Sequence, residues 1–458
     1  MSYDPNVVDA YAEHLGEVNK DQAVVVTEDI RNANGVLIAR KGQRVSTETV
    51  SRIVQFKLLK PIEESVDLAD PLTAPRLVAA IRALLVDDTS KKIFERFAIS
   101  TELERCTASF CRYGLLRQKL TVLASQMPEE YEKALTVAWQ GLAIGFTLGL
   151  SAEQREHLFV AALSHDLGML HINRELVAKQ GVMTADEWRT VQSHAVIGYL
   201  MIEQGQMAPK PIAQAVLEHH ETFDGTGYIS GKHGAELGVL GQIVGVVDAM
   251  AVVTRKLRTQ NRGLRDLLPI LRIDRYVHRS DVCDAFIQIL LDEGLGVGTI
   301  VDDDVAQCIG KITSQRDLLK DYLGRLQGLI EQLPETKERN KVSAARNLFG
   351  YLTEVVHGSG VLETGYDGWL LAVGAERQRG EYREVEDTYL MLREVEFQLS
   401  RLTRVLHEII EDRRLLTVAT REKLQHDLAA MPGLENMETS ASGVWRTGAV
   451  AFLRSSAA

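Results

Sequence analysis

Six of the chain's twelve histidines fall between residues 165 and 233, and none lies between His14 and His157. Histidine is the commonest metal ligand, so clustering of this kind points to a site. His165-Asp166 closes the apolar run LFVAALSHDLG. Adjacent residues at a helix end project about 100° apart, so the pair can grip a site with one imidazole and one carboxylate able to bridge two ions. By itself an HD dipeptide is usually just a helix terminus. His194 has the apolar neighbours Val191, Ile197, Leu200 and Met201, which turn its side chain inward. A lone histidine on such a face is more often a satisfied core residue; the company it keeps changes that reading. His219-His220-Glu221 runs into Phe223-Asp224-Gly225-Thr226-Gly227-Tyr228. Glycines there permit positive φ and bring backbone close to a ligand or metal. Asp248 lies in QIVGVVDAMAVV, where a lone carboxylate is costly unless paired or metal-bound. These residues supply four imidazoles and two carboxylates. Mixed N/O ligation suits iron, manganese or a similar first-row ion better than a closed structural zinc site. Two ions bridged by Asp166 would hold a hydroxide between them and polarise a phosphoryl oxygen, which is the arrangement for in-line attack on a phosphodiester.

The elements that must position these residues read as helices. Ser151 with Gln154, and Thr184 with Glu187, form capping boxes that start two of them. Pro211 suits the first turn of a third, running to His220. Few strand signals follow residue 74. Before it, residues 23–41 hold two β-prone runs around Asn34-Gly35, a hairpin signal. Ser46 then opens a helical stretch to Phe56, which Pro61 ends. In the C-terminal third, Val385, Leu392, Val395, Leu399, Leu402, Leu406 and Ile409 alternate at spacings of three and four, with Thr388 filling the gap between the first two. That seam suits either the chain's own bundle or a homodimer or partner interface.

Composition excludes some roles. With 45% hydrophobic and 25% charged residues, the chain has the balance of a soluble globular protein. Its net charge of −11 argues against a surface for long nucleic acid, which needs a basic stripe. The N-terminal twenty residues mix charge into every apolar stretch, so no secretion signal is expected. The run Val239 to Val253 is shorter than the ~20 residues of a membrane span, and Asp248 interrupts it. Cys106, Cys111, Cys283 and Cys308 form no CxxC pair and read as buried thiols of a reducing, cytoplasmic compartment.

The order HD, His, HHETFDGTGY, and then Asp in an apolar helix resembles the HD-GYP family. These are bacterial, all-helical, metal-dependent phosphodiesterases that linearise or fully hydrolyse cyclic di-GMP. The resemblance covers about residues 129–260. It implies one or two divalent ions, iron or manganese, held by His165, Asp166, His194, His219, His220 and Asp248. It places Asp166 in the bridging, catalytic position, and Asp224, Gly225, Gly227 and Tyr228 in the loop that shapes the substrate pocket. It also implies cyclic di-GMP or a related nucleotide as substrate. The sequence departs from the family pattern in several places. The family's earlier histidine, about fifteen residues before the LGL at Leu148-Gly149-Leu150, falls on Lys133, whose charge can partly replace a metal's. Glu129, one turn earlier, matches an extra carboxylate position. The lysine of HDxGK is Met169, the proline of GYP is Ile229, and a later aspartate is Ala251. A catalytically degenerate, nucleotide-binding or protein-interaction module is therefore the alternative expectation. The expected architecture is mainly α. A small N-terminal α/β unit (1–70, regulatory) leads through a helical connector (71–119) to an HD-type bundle (120–300). A C-terminal helical region (301–432) with the heptad-like segment 385–409 follows, and then a flexible tail (433–458).

Overall fold

Helix accounts for 73% of the structure, and among the described residues no strand follows Leu68. This computed structural model describes residues 10–56, 58–179, 183–205, 207–259, 262–294, 302–335 and 340–431. The tail expected at 433–458 lies outside the described residues. Two compact units emerge. One comprises residues 1–220 with 238–251, the other residues 221–237 with 252–458.

In the first unit the small β elements form where the turn residues demand them. Ile30–Arg31 pairs antiparallel with Leu37–Ala39 around Gly35, whose φ of +78° is the conformation glycine tolerates best. Val24–Val26 pairs with Val66–Leu68. Ser46 caps the helix Thr47–Gln55 by accepting from the Thr49 N–H. This N-terminal segment is bolted to the helix Gly114–Gln126. Tyr11 donates to Gln118 at 2.9 Å, and the Gln118 amide donates to the carbonyls of Glu63 and Val66. Lys119, wholly buried, meets Glu63 at 3.0 Å and His171 at 2.9 Å, with its ammonium over the Tyr11 ring. Each of these buried side chains has at least one polar partner, which burial requires, although the second Glu63 oxygen, Oε2, has none among the described residues.

The helices that matter for the site follow. Pro128–Thr147 and Ala152–Ser164 lie against each other across the turn Leu148-Gly149-Leu150, where Gly149 takes φ +68°. That left-handed glycine ends the first helix, a common helix stop. Ser151 and Thr184 form complete capping boxes with Gln154 and Glu187, starting Ala152–Ser164 and Ala185–Gln204. Pro211 sits in the first turn of Lys210–Glu218.

The second unit is built round the helix Tyr382–Glu411. All seven residues of its seam, from Val385 to Ile409, are at most 2% exposed. They lie in one apolar cluster with Leu319, Leu326, Leu348 and Leu352 from the helices Asp302–Gln332 and Lys341–Gly358. The seam is thus buried within the chain's own core. Three of the four cysteines are buried as expected; Cys111 is half-buried, next to the end of its helix.

Candidate metal centre

Five helices of the first unit deliver the centre. Lys133 stands on Pro128–Thr147, His194 on Ala185–Gln204 and Asp248 on Val239–Thr259. His165 caps the end of Ala152–Ser164 and is followed by Asp166, while His219 caps Lys210–Glu218 and is followed by His220. Two helix ends therefore each offer two consecutive side chains. Helix C-termini also carry partial negative charge, which favours a cation nearby.

The imidazoles are oriented by their own helices. Nδ1 of His165, His194 and His219 donates to the carbonyl three residues earlier, of Ala162, Val191 and Val216, at 2.7, 2.7 and 2.6 Å. At His194 and His219 a proton held on Nδ1 leaves the Nε2 lone pair free to ligate, which is how supporting hydrogen bonds fix metal-ligating histidines. At His165, by contrast, burial is outweighed by Asp166 and Asp248, which raise the imidazole to about 10. The Nε2 atoms turn inward. His194 Nε2 lies 3.3 Å from that of His219 and 3.2 Å from that of His220. Asp166 Oδ1 is 3.2 Å from His194 Nε2 and 3.7 Å from His219 Nε2. One ligand atom from each of Asp166, His194, His219 and His220 fits within 4.8 Å of all the others. Buried lone pairs facing one another at these distances call for a cation between them, and the donor set fits a divalent first-row ion.

The other half of the centre has a different occupant. His165 Nε2 lies 3.2 Å from Asp166 Oδ2 and 3.3 Å from Asp248 Oδ1. Lys133 Nζ reaches the same two oxygens, at 2.5 and 3.0 Å, and Glu130 Oε2 at 3.0 Å. Burial by itself would push the Lys133 ammonium down, but Asp166, Asp248 and Glu130 outweigh it and hold it well above its usual range. Burial likewise opposes ionisation of Asp166, yet His165 and Lys133 keep its carboxyl well below the usual range. Asp248 behaves the same way, through Lys133 and His165. His219 and His220 go in the opposite direction. Burial, reinforced by the neighbouring imidazoles, lowers both and keeps them neutral.

All six residues expected as ligands, together with Lys133, therefore converge. Glu129 does not: it is exposed, and the adjacent Glu130 is the acid that reaches Lys133. His171 serves the Lys119 cluster, and His233 caps a short turn with Glu236. Met169 and Ala251 are buried. Sequence reasoning missed the glycines that let the ligand-bearing backbones meet. A Cβ at Gly168 would lie 2.0 Å from the His194 carbonyl oxygen, and one at Gly245 would lie 2.3 Å from that of His219. A glycine inside an apolar helix, as at Gly245, is the signal that marks such an approach.

Comparison with known proteins agrees with this geometry. Residues 119–277 match the HD domain family. The chain carries an HD domain. Relatives of this domain include a cyclic di-GMP phosphodiesterase of Thermotoga maritima, 26% identical over 35% of this chain and 45% of that protein. A 3'3'-cGAMP-specific phosphodiesterase of Vibrio cholerae is 35% identical over 27% of this chain and 25% of that protein. The cyclic di-GMP phosphodiesterase response regulator RpfG of Xanthomonas campestris is 34% identical over 22% and 27%. The match spans less than half the length of each of these relatives. Among the described residues, no helix is long and apolar enough to cross a membrane.

Within the second unit, the loop from Glu221 onward is tied by its own carboxylates. Asp224 Oδ1 accepts from the Thr226 N–H at 3.0 Å and from the hydroxyls of Thr222 and Thr226 at 2.7 Å. Gly225 takes φ +80°, and a Cβ there would lie 3.2 Å from that of His233. Glu221 accepts from the backbone N–H groups of Ile229, Ser230 and Lys232 at 3.0, 2.6 and 3.1 Å. The change from proline to Ile229 thus has a physical counterpart, since proline has no N–H to give Glu221.

Proposed function

We propose that this chain is a metal-dependent phosphodiesterase that opens a cyclic dinucleotide, with cyclic di-GMP as the first candidate substrate and 3'3'-cGAMP as the second. The observation that carries the proposal is the inward convergence of three Nε2 lone pairs on Asp166, with Nδ1 of His194 and His219 tied to backbone carbonyls. Asp166, His194, His219 and His220 would hold the ion, with His165 and Asp248 adjoining. A bound divalent ion supplies Lewis acidity toward a phosphoryl oxygen and lowers the pKa of water. The protein's own groups fix ligand orientation through the Nδ1–carbonyl bonds, bring Asp166 to both halves of the centre and balance its charge with Lys133. The two phosphodiesters of a cyclic dinucleotide are the kind of bond on which the relatives' named activities act.

One observation favours a second reading, a nucleotide-binding module without hydrolysis: Lys133 already neutralises Asp166 and Asp248. Anaerobically purified protein, with iron and manganese counted, incubated with each cyclic dinucleotide and followed for linear product, decides between them. Metal-dependent product supports the phosphodiesterase. Bound nucleotide without product establishes the module.

A further inference from the structure

His165, Asp166 and Asp248 have the donor atoms of an ion site, one from each lying within 4.8 Å of the others. Lys133 Nζ contacts both carboxylates of that set, 2.5 Å from Asp166 Oδ2 and 3.0 Å from Asp248 Oδ1. A third acceptor, Glu130 Oε2, lies 3.0 Å away. An ammonium has three N–H donors, so these three carboxylates fill its hydrogen-bonding capacity. The side chain of Lys133 is only 6% exposed. Expelling the ammonium would leave a buried charge without its partners, which is strongly unfavourable. A divalent ion on the same two oxygens would share them with a cation a few ångströms away, and in a buried site that repulsion is strong.

We infer that Lys133 is the resident cation of this half of the centre, so that the chain takes one divalent ion, through Asp166, His194, His219 and His220, and uses the lysine ammonium where a second ion would sit. This rests on the metal-centre reading proposed above and specifies its stoichiometry. The centre then pairs one Lewis acid with one fixed positive charge of lower valence, in place of a two-ion clamp on the attacking and leaving oxygens. Asp166 is shared by the two, with Oδ1 facing the ion ligands and Oδ2 facing Lys133.

The test reads metal content as well as turnover. Wild type, Lys133→His and Lys133→Ala are loaded with excess manganese, desalted and counted per chain, with circular dichroism to confirm folding. The manganese spin-resonance spectrum of the wild type shows whether the ions are single or magnetically coupled. We expect one ion and an uncoupled spectrum in the wild type, and an increment of one ion in Lys133→His. In Lys133→Ala the increment appears at higher manganese. Two ions in the wild type, or no increment in either folded variant, would overturn the inference. The wild-type count and spectrum decide it even if both variants unfold. Turnover of cyclic di-GMP on the same samples is a separate readout. One ion without product ends the phosphodiesterase proposal but leaves the Lys133 inference standing, and two coupled ions with product do the reverse.

Discussion

His219 is tied into the centre through its ring and through its backbone. Its Nδ1 is fixed to Val216, its Nε2 faces both His194 and Asp166, and its backbone carbonyl lies against Gly245. His219→Ala removes a proposed ligand and leaves the Nδ1–carbonyl hydrogen bonds of His194 and His165 in place. We expect metal retention to fail and any cyclic dinucleotide turnover to drop by at least about 100-fold, the upper end of what loss of a mere supporting partner costs. Helicity should be retained. A variant with full activity would sink the proposed ligand role. Ile229 makes an opposite kind of statement. Restoring the proline of the family pattern would be expected to stiffen the turn, but here the Ile229 N–H donates to Glu221. Ile229→Pro should therefore destabilise the protein by about 1 kcal/mol, the net worth of one hydrogen bond, as read from a denaturant midpoint. A stabilised variant would show that the bond does not matter.

At the scale of elements, the centre depends on how closely helix backbones approach. Gly245 lets Val239–Thr259 run against the end of Lys210–Glu218, where a Cβ would fall 2.3 Å from the His219 carbonyl oxygen. The obstacle is backbone, so no side-chain rotation relieves it. Gly245→Ala should cost roughly 1–3 kcal/mol or more, as overpacking does, and should shift His219 enough to weaken metal retention. Gly328 is the control. It lies inside Asp302–Gln332, with nothing within 4 Å of where a methyl group would stand. Gly328→Ala should stabilise by up to about 1 kcal/mol through helix propensity. Equal denaturant midpoints for the two variants would show that the close approach at Gly245 carries no such constraint. The helix starts at Ser151 and Thr184 were legible because a capping box is a local signal, written in two residues three apart. The Gly168 and Gly245 contacts were not, because each partner lies on another element.

At the scale of the whole molecule, the second unit carries a buried acid pair that ties stability to pH. Gln398 donates to Asp274 Oδ1 at 2.8 Å and to Glu394 Oε1 at 2.7 Å, joining the helix Leu268–Val277 to Tyr382–Glu411. Burial pushes the Asp274 carboxyl up, to about 6, against the opposing pull of its hydrogen bond with Glu394 and of Arg401. Burial and the Asp274 charge raise Glu394 as well. An acid with a higher pKa in the folded state binds its proton more tightly there. Its stabilising contribution is complete below about pH 4 and is lost as the pH rises through about 6. The second unit should therefore melt at lower temperature at pH 8 than at pH 5. Asp274→Asn keeps the acceptor for Gln398 and removes the titrating proton. It should flatten this slope and stabilise the protein at pH 8 by on the order of 1 kcal/mol, since one pKa unit is worth about 1.4 kcal/mol. Parallel melting curves for wild type and variant across that range would dismiss the pair as the cause.

The sequence by itself determined the helical character after residue 74, the hairpin at Asn34-Gly35, the helix starts and which six His and Asp residues gather in one buried cluster. Those follow from chain-local chemistry: periodicity, caps, glycine turns and the cost of burying an unpaired His or Asp. The order of those residues also sufficed to mark the HD domain. Tertiary structure alone decided that Glu130 meets Lys133, that Lys133 reaches both Asp166 and Asp248, and that Glu221 gathers three N–H groups of its loop. It also decided that the seam from Val385 to Ile409 closes on the chain's own helices. Each of these is a contact between elements. An apolar stripe or a charged side chain states what it needs, burial or a counter-charge, but many partners can meet that need, and only packing selects which one does.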